Sequence, residues 1–135
     1  MRFSDLAVFL EEHYGIQSRD RIAFAGRLKH FVKLGWPSGV KRGRGVPGEY
    51  DQCAVCEMFF VMELAAVGIQ PERAIEAVKG NLVNLTAAVE GDGQCVLRLP
   101  PSFGTRLPKA TINIDLSALK LVLEGMKGEQ YENRI

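Results

Sequence analysis

The sequence predicts an α-rich α+β fold, and three observations carry that prediction. Apolar residues recur at helical spacing through most of the first 90 residues. One stretch among them, Ser38 to Tyr50, is basic, glycine-rich and interrupted by Pro47, so it cannot continue a helix. Beyond Gly91 the texture changes to two short strand-like segments and a closing helix.

Each element follows from local signals. Ser4 is placed to cap a first helix from about Asp5 to His13, with Leu6, Phe9 and Leu10 on one side and Gly15 ending it. Ser18 is placed to cap a second. From Arg19 onward Ile22, Phe24, Ala25, Leu28, Phe31, Val32 and Leu34 recur at helical spacing, and Gly35 sits where a left-handed closure stops the helix. Trp36-Pro37 leads the chain away extended, and Ser38 to Tyr50 reads as a short loop or wing. Asp51 opens a strongly apolar helix, roughly Gln52 to Val67, with Val55, Met58, Phe59, Met62, Ala65 and Ala66 as its buried stripe. Gly68 caps it. Pro71, at a first helical position, starts a helix carrying Ala74, Ile75 and Val78, which continues past a weak point at Gly80 through Leu82, Leu85 and Val89. Gly91-Asp92-Gly93 is a turn. Cys95 to Leu99 and Thr111 to Ile114 are strands, and Asp115 caps a final helix to about Met126 along Leu116, Leu119, Leu121 and Leu123. Gly128 to Ile135 is expected to fray.

Composition excludes several classes. No stretch approaches the roughly 20 apolar residues needed to span a bilayer. Acidic residues in MRFSDLAVFLEEHYG interrupt what a signal peptide would need as an apolar core. The expectation is a cytoplasmic protein with no membrane partner, in which Asn84-Leu85-Thr86 is an accidental glycosylation match. Three cysteines argue against a disulfide framework. Cys53 and Cys56 form a CxxC, but no second pair completes a zinc site. A basic, glycine-rich loop rather than a strand precedes the pair, so core packing is the expected role. Gly43-Arg-Gly45-Val-Pro-Gly48 formally matches GxGxxG, yet Lys41-Arg42 stand where a dinucleotide site needs an apolar strand. Glu11, Glu12 and His13 are adjacent helix positions pointing in different directions, and nothing pairs a nucleophile with a base. No enzymatic activity, cofactor or metal is expected.

Charge is where the sequence departs from the ordinary. Formal net charge is only +1, but between Ser18 and Gly45 eight basic residues face one acidic residue, Asp20. That stretch carries +7 and the remainder −6. Such asymmetry is the footprint of a protein meeting a polyanion with one face.

The order helix, loop, basic helix, glycine-rich basic turn, apolar helix, helix is that of a helix-turn-helix with a wing. Arg27-Leu-Lys-His-Phe-Val-Lys-Leu-Gly-Trp-Pro37, the basic stretch to Tyr50, and the helix reaching Leu64-Ala-Ala-Val-Gly68-Ile-Gln-Pro-Glu-Arg-Ala74 together resemble the MerR-type winged helix-turn-helix. The resemblance spans about Asp5 to Asn81. It implies a recognition helix bearing Arg27, Lys29, His30 and Lys33, a wing bearing Arg42 and Arg44, and an aromatic, Tyr50, closing the wing near a phosphate; Lys41, beside Arg42, joins the wing cations by its position and charge. Arg19 and Arg21, at the head of the basic helix, complete the expected DNA-binding set. Arg27 and His30 are three apart and Lys29 and Lys33 four apart, so each pair shares a face. A helix of this width fits the major groove, where Arg or Lys donates to guanine; the wing cations suit phosphates or the minor groove. The long dimerising helix of many family members is not there after Asn81, and a strand-strand-helix unit takes its place.

The expected organisation is therefore a winged helix-turn-helix DNA-binding domain over residues 1–90 and a small α/β dimerisation tail over 91–135. The expected function is sequence-specific binding of double-stranded DNA, as a homodimer on a palindromic site, in transcriptional regulation. A phage or mobile-element excision or architectural role is a variant of this reading. A protein-interaction module, antitoxin-like or adaptor, holding an acidic partner on the same basic surface is the rival from another class.

Overall fold

Helix ends in this chain are set by glycine. A computed structural model, describing residues 1–37, 49–98 and 111–132, has helix α1 at Phe3–His13, α2 at Arg21–Lys33 and α3 at Gln52–Ala66. After α2 the Gly35 amide donates to the Val32 carbonyl at 3.1 Å and the Trp36 amide to the Phe31 carbonyl at 3.0 Å. Gly35 holds φ at +86°, the left-handed conformation this closure demands and a side chain disfavours. Gly15 after α1 and Gly68 after α3 close with the same pair of hydrogen bonds.

Helix starts follow the sequence less closely. Arg2 pairs with Glu49 in an isolated antiparallel bridge, so the chain enters α1 directly at Phe3; Ser4 lies inside the helix and caps nothing. Ser18 opens a 3-10 turn, Ser18–Asp20, and α2 begins only at Arg21 without a side-chain cap. Asp51 does cap: its Oδ1 accepts the Ala54 amide at 2.8 Å.

The chain forms two compact units, Met1–Met62 and Glu63–Ile135. The sequence suggests a division at residue 90, but α5 (Leu82–Glu90) packs on β1 (Gln94–Arg98), which keeps both sides of that position in one unit.

In the first unit α1 packs on α2. Leu6 and Leu10 of α1, Phe24, Leu28 and Phe31 of α2, and Trp36 are buried. Phe9 stacks on Phe59 of α3 with ring centroids 6.1 Å apart. The Trp36 indole N–H donates to the Glu57 carbonyl at 3.0 Å, which fixes the segment leaving α2 against α3. From Ala54 to Met62 every residue except Cys56 is buried. Phe60 and Val61 thus belong to the core beside the expected stripe, as suits a helix apolar all round, whereas Ala66 is exposed.

In the second unit α4 (Pro71–Gly80) starts with proline at its head and ends at the expected weak point, where the Asn81 side chain donates to the Ala77 carbonyl at 2.8 Å. Strand β1 pairs antiparallel with β2 (Thr111–Asp115), Cys95 opposite Ile114 and Leu97 opposite Ile112. Leu97 and Ile114 are buried while Val96 and Asn113 face solvent, the alternation the pleat imposes. Asp115 Oδ1 accepts the Ser117 amide at 2.9 Å and hydroxyl at 2.6 Å, leading into α6 (Ser117–Glu132). Leu119, Leu123 and Met126 form the buried stripe of α6. Leu121, another apolar residue of this helix, stands two positions off that stripe and is 71% exposed. The helix also runs past Gly128, where fraying was expected. The fold is α-rich α+β, with one two-stranded sheet among the described residues. No helix among them is long and apolar enough to cross a membrane.

Candidate nucleic-acid interface

Helix α2, RIAFAGRLKHFVK, contains no acidic residue. Phe24, Leu28 and Phe31 fix its orientation by turning one face inward. At 3.6 residues per turn the line opposite them runs through Ile22, Gly26, Lys29 and Lys33. Ala23 and His30 flank that line, and Arg27 stands at the margin of the buried stripe. All seven are exposed. Among the described residues no carboxylate pairs with Arg27, Lys29, His30 or Lys33.

The two arginines nearest the helix start are engaged differently. Arg21 Nε donates to Glu11 Oε2 at 3.1 Å, tying the head of α2 to α1. Arg19 lies 3.7 Å from Asp20 with both side chains exposed, an ion pair of little energetic consequence. Arg21 is therefore held by α1, whereas Arg19 remains open to solvent.

Tyr50 requires a correction. Placed by resemblance near a phosphate, it is instead 4% exposed, with its ring centroid 6.1 Å from that of Phe3. Its amide donates to the Met1 carbonyl at 2.7 Å and its carbonyl accepts from the Met1 amine at 3.0 Å. Its apolar body is a core residue because the start of the chain packs across it. Lys41, Arg42 and Arg44 lie outside the described residues. The points where the chain enters and leaves their segment are anchored: Trp36 and Pro37 are buried, and Glu49 is bridged to Arg2.

Sequence reasoning also misplaced Ile22, counting it within the apolar stripe. At 89% exposed, it lies on the solvent face, on the line that continues to Lys29 and Lys33. Its position two residues before Phe24 and six before Leu28 carries the signal, since those separations turn a side chain far round the helix.

The remaining candidate chemistry resolves into structure. Cys53, Cys56 and Cys95 are free thiols. Burial pushes Cys56 from 9.0 to about 12, aided by the negative charges of Cys53, Glu57 and Asp51; burial also raises Cys95. Such thiols stay protonated near neutrality, which disfavours nucleophilic attack and metal ligation. His13 lies against Tyr14 and Phe59, at centroid distances of 4.7 and 5.1 Å. Asp92 Oδ1 accepts the Gln94 amide at 3.0 Å. Among the described residues no group of three or more His, Cys, Asp or Glu is arranged to hold a metal ion.

No protein-family model matches the chain, and no match was found among curated proteins or solved structures. The functional reading therefore rests on the charge and geometry of α2.

Proposed function

We propose that this chain is a sequence-specific double-stranded DNA-binding protein of the winged helix-turn-helix kind, a cytoplasmic transcriptional regulator that binds a palindromic site as a homodimer. The observation that carries the reading is the solvent face of α2: Lys29, His30 and Lys33, with Arg27 at its margin, exposed and without carboxylate partners among the described residues. In the proposal α1 and α2 are the two helices of the motif, joined by Tyr14 to Asp20. Helix α2 enters the major groove, where Arg27, Lys29 and Lys33 donate to guanine edges or phosphates. Lys41, Arg42 and Arg44 hold the backbone or the minor groove from the segment after Pro37. A helix carrying cations on the face opposite its buried stripe can approach a polyanion without breaking the core. That is the physical support for assigning α2 the recognition role.

The test is duplex binding across a salt series. Each neutralised phosphate contributes a slope of about −0.9 to log K against log salt. A slope of several units, reduced by about two and accompanied by a loss of affinity in the Lys29→Ala/Lys33→Ala double variant, supports the reading. A flat response, or failure to bind any duplex at low salt, overturns it and favours an acidic protein partner for the same face.

A further inference from the structure

Resting on that reading of α2, we propose that Ile22 is a specificity residue that reads the 5-methyl group of a thymine in the major groove. Among the large apolar side chains described, Ile22 is the most exposed, at 89%. It is the second residue of α2, on the line that continues through Gly26 to Lys29 and Lys33. Single exposed apolar side chains are common and need no explanation by themselves. This one lies at the N-terminal end of the line that carries Lys29 and Lys33, the end of the helix from which recognition helices reach base edges. Of the groups that a duplex presents in its major groove, the thymine methyl is the apolar one, and an aliphatic side chain is its fitting contact.

Charge complementarity selects a polyanion over an apolar covering of Ile22, and the duplex is the polyanion already proposed for α2. Lys29 and Lys33 lie seven and eleven residues further along the same line, and His30 lies beside it. A partner touching Ile22 therefore meets these cations in the same approach. A purely apolar partner would have to strip them of water without compensation.

Gly26, between Ile22 and Lys29, agrees with close approach. Glycine within a helix is unfavourable relative to alanine. The interior of this protein does not require it, since a Cβ built at Gly26 meets nothing within 4 Å. Without that Cβ the helix can settle nearer the groove floor, bringing Ile22 within reach of a base edge.

The experiment begins with selection of tight duplexes from a random-sequence library by the intact chain. In a selected duplex each thymine is then replaced singly by deoxyuridine, which lacks only the 5-methyl group, and the intact chain is compared with Ile22→Ala. At one thymine for each bound chain, the replacement should weaken the unmodified protein about four-fold, the worth of one buried methyl group. The same replacement should leave Ile22→Ala unaffected. Gly26→Ala should raise the melting temperature yet weaken the selected duplex. Equal uracil penalties for both proteins, no penalty anywhere, or selected sequences sharing no thymine would overturn the assignment of Ile22 while leaving duplex binding intact. Failure to enrich any duplex would overturn the function proposed for α2, and this inference with it.

Discussion

Lys29 and Lys33 lie four residues apart on α2, so their ammonium groups share one side of the helix. Each, replaced by alanine, should reduce the salt slope of duplex binding by about one and weaken all sequences to a similar degree. Parallel titrations on a selected and a scrambled duplex check this; a change confined to the selected duplex would instead make the lysine a base reader. Cys56 supports a prediction of another kind. Its thiol is pushed from 9.0 to about 12, chiefly by burial, so the folded state holds that proton more tightly than the unfolded state does. The resulting stabilisation is fully present below pH 9 and is lost as pH rises through the range from 9 toward 12. Denaturant midpoints should fall across that range, and less steeply in Cys56→Ala. At neutral pH a thiol reagent should modify exposed Cys53 well before Cys56. Equal rates would contradict the burial assigned to Cys56.

At the scale of elements, stops were more legible than starts. Gly15, Gly35 and Gly68 each mark a helix end in the sequence and each closes a helix in the structure. A left-handed closure has a strong residue preference that neighbours rarely override. Serine at a helix start has competitors. Arg2's bridge to Glu49 lets α1 begin before Ser4, and the 3-10 turn at Ser18–Asp20 delays α2. Those competing contacts are tertiary or depend on backbone geometry, so local sequence does not contain them. Ile22 and Leu121 show a different limit. Each is apolar and near a helical stripe, yet one or two residues of offset carry it to the opposite face. The basic face of α2 was legible because a cluster of charge does not depend on such fine phasing, whereas the burial of Tyr50 depends on a contact with the start of the chain. Two substitutions check the closures. Asp51→Ala removes the cap on Ala54 and should cost about 1 kcal/mol. Gly35→Ala keeps a φ of +86° under a side chain and should cost about 1–2 kcal/mol. Chemical denaturation measures both, and a neutral result at Gly35 would mean that the closure relaxes easily.

For the molecule as a whole, the near-neutral total conceals the arrangement that matters. A chain of net charge +1 has little long-range attraction for a polyanion if its charge is evenly spread, so attraction must come from a local field. The +7 between Ser18 and Gly45 supplies one. Association with duplex should therefore slow steeply as salt rises, despite the neutral whole. One α2 is nevertheless short. At 13 residues it is about 20 Å long, and a single helical module contacts too few base pairs to distinguish one genomic site from its competitors. Pairing through a two-fold axis overcomes this by placing two recognition helices about one helical turn of DNA apart, roughly 34–36 Å. The proposed homodimer makes a geometric prediction. A duplex with two inverted copies of the selected half-site should bind two chains cooperatively. Inserting about five base pairs, half a helical turn, should abolish the gain by rotating the second half-site to the far side of the duplex. Sedimentation of the protein–duplex complex gives the stoichiometry, and titrations on the two spacings give the coupling. Equal affinity at both spacings, with one chain bound at each half-site independently, would show that the chain acts as a monomer and that its specificity must come from the single α2 face.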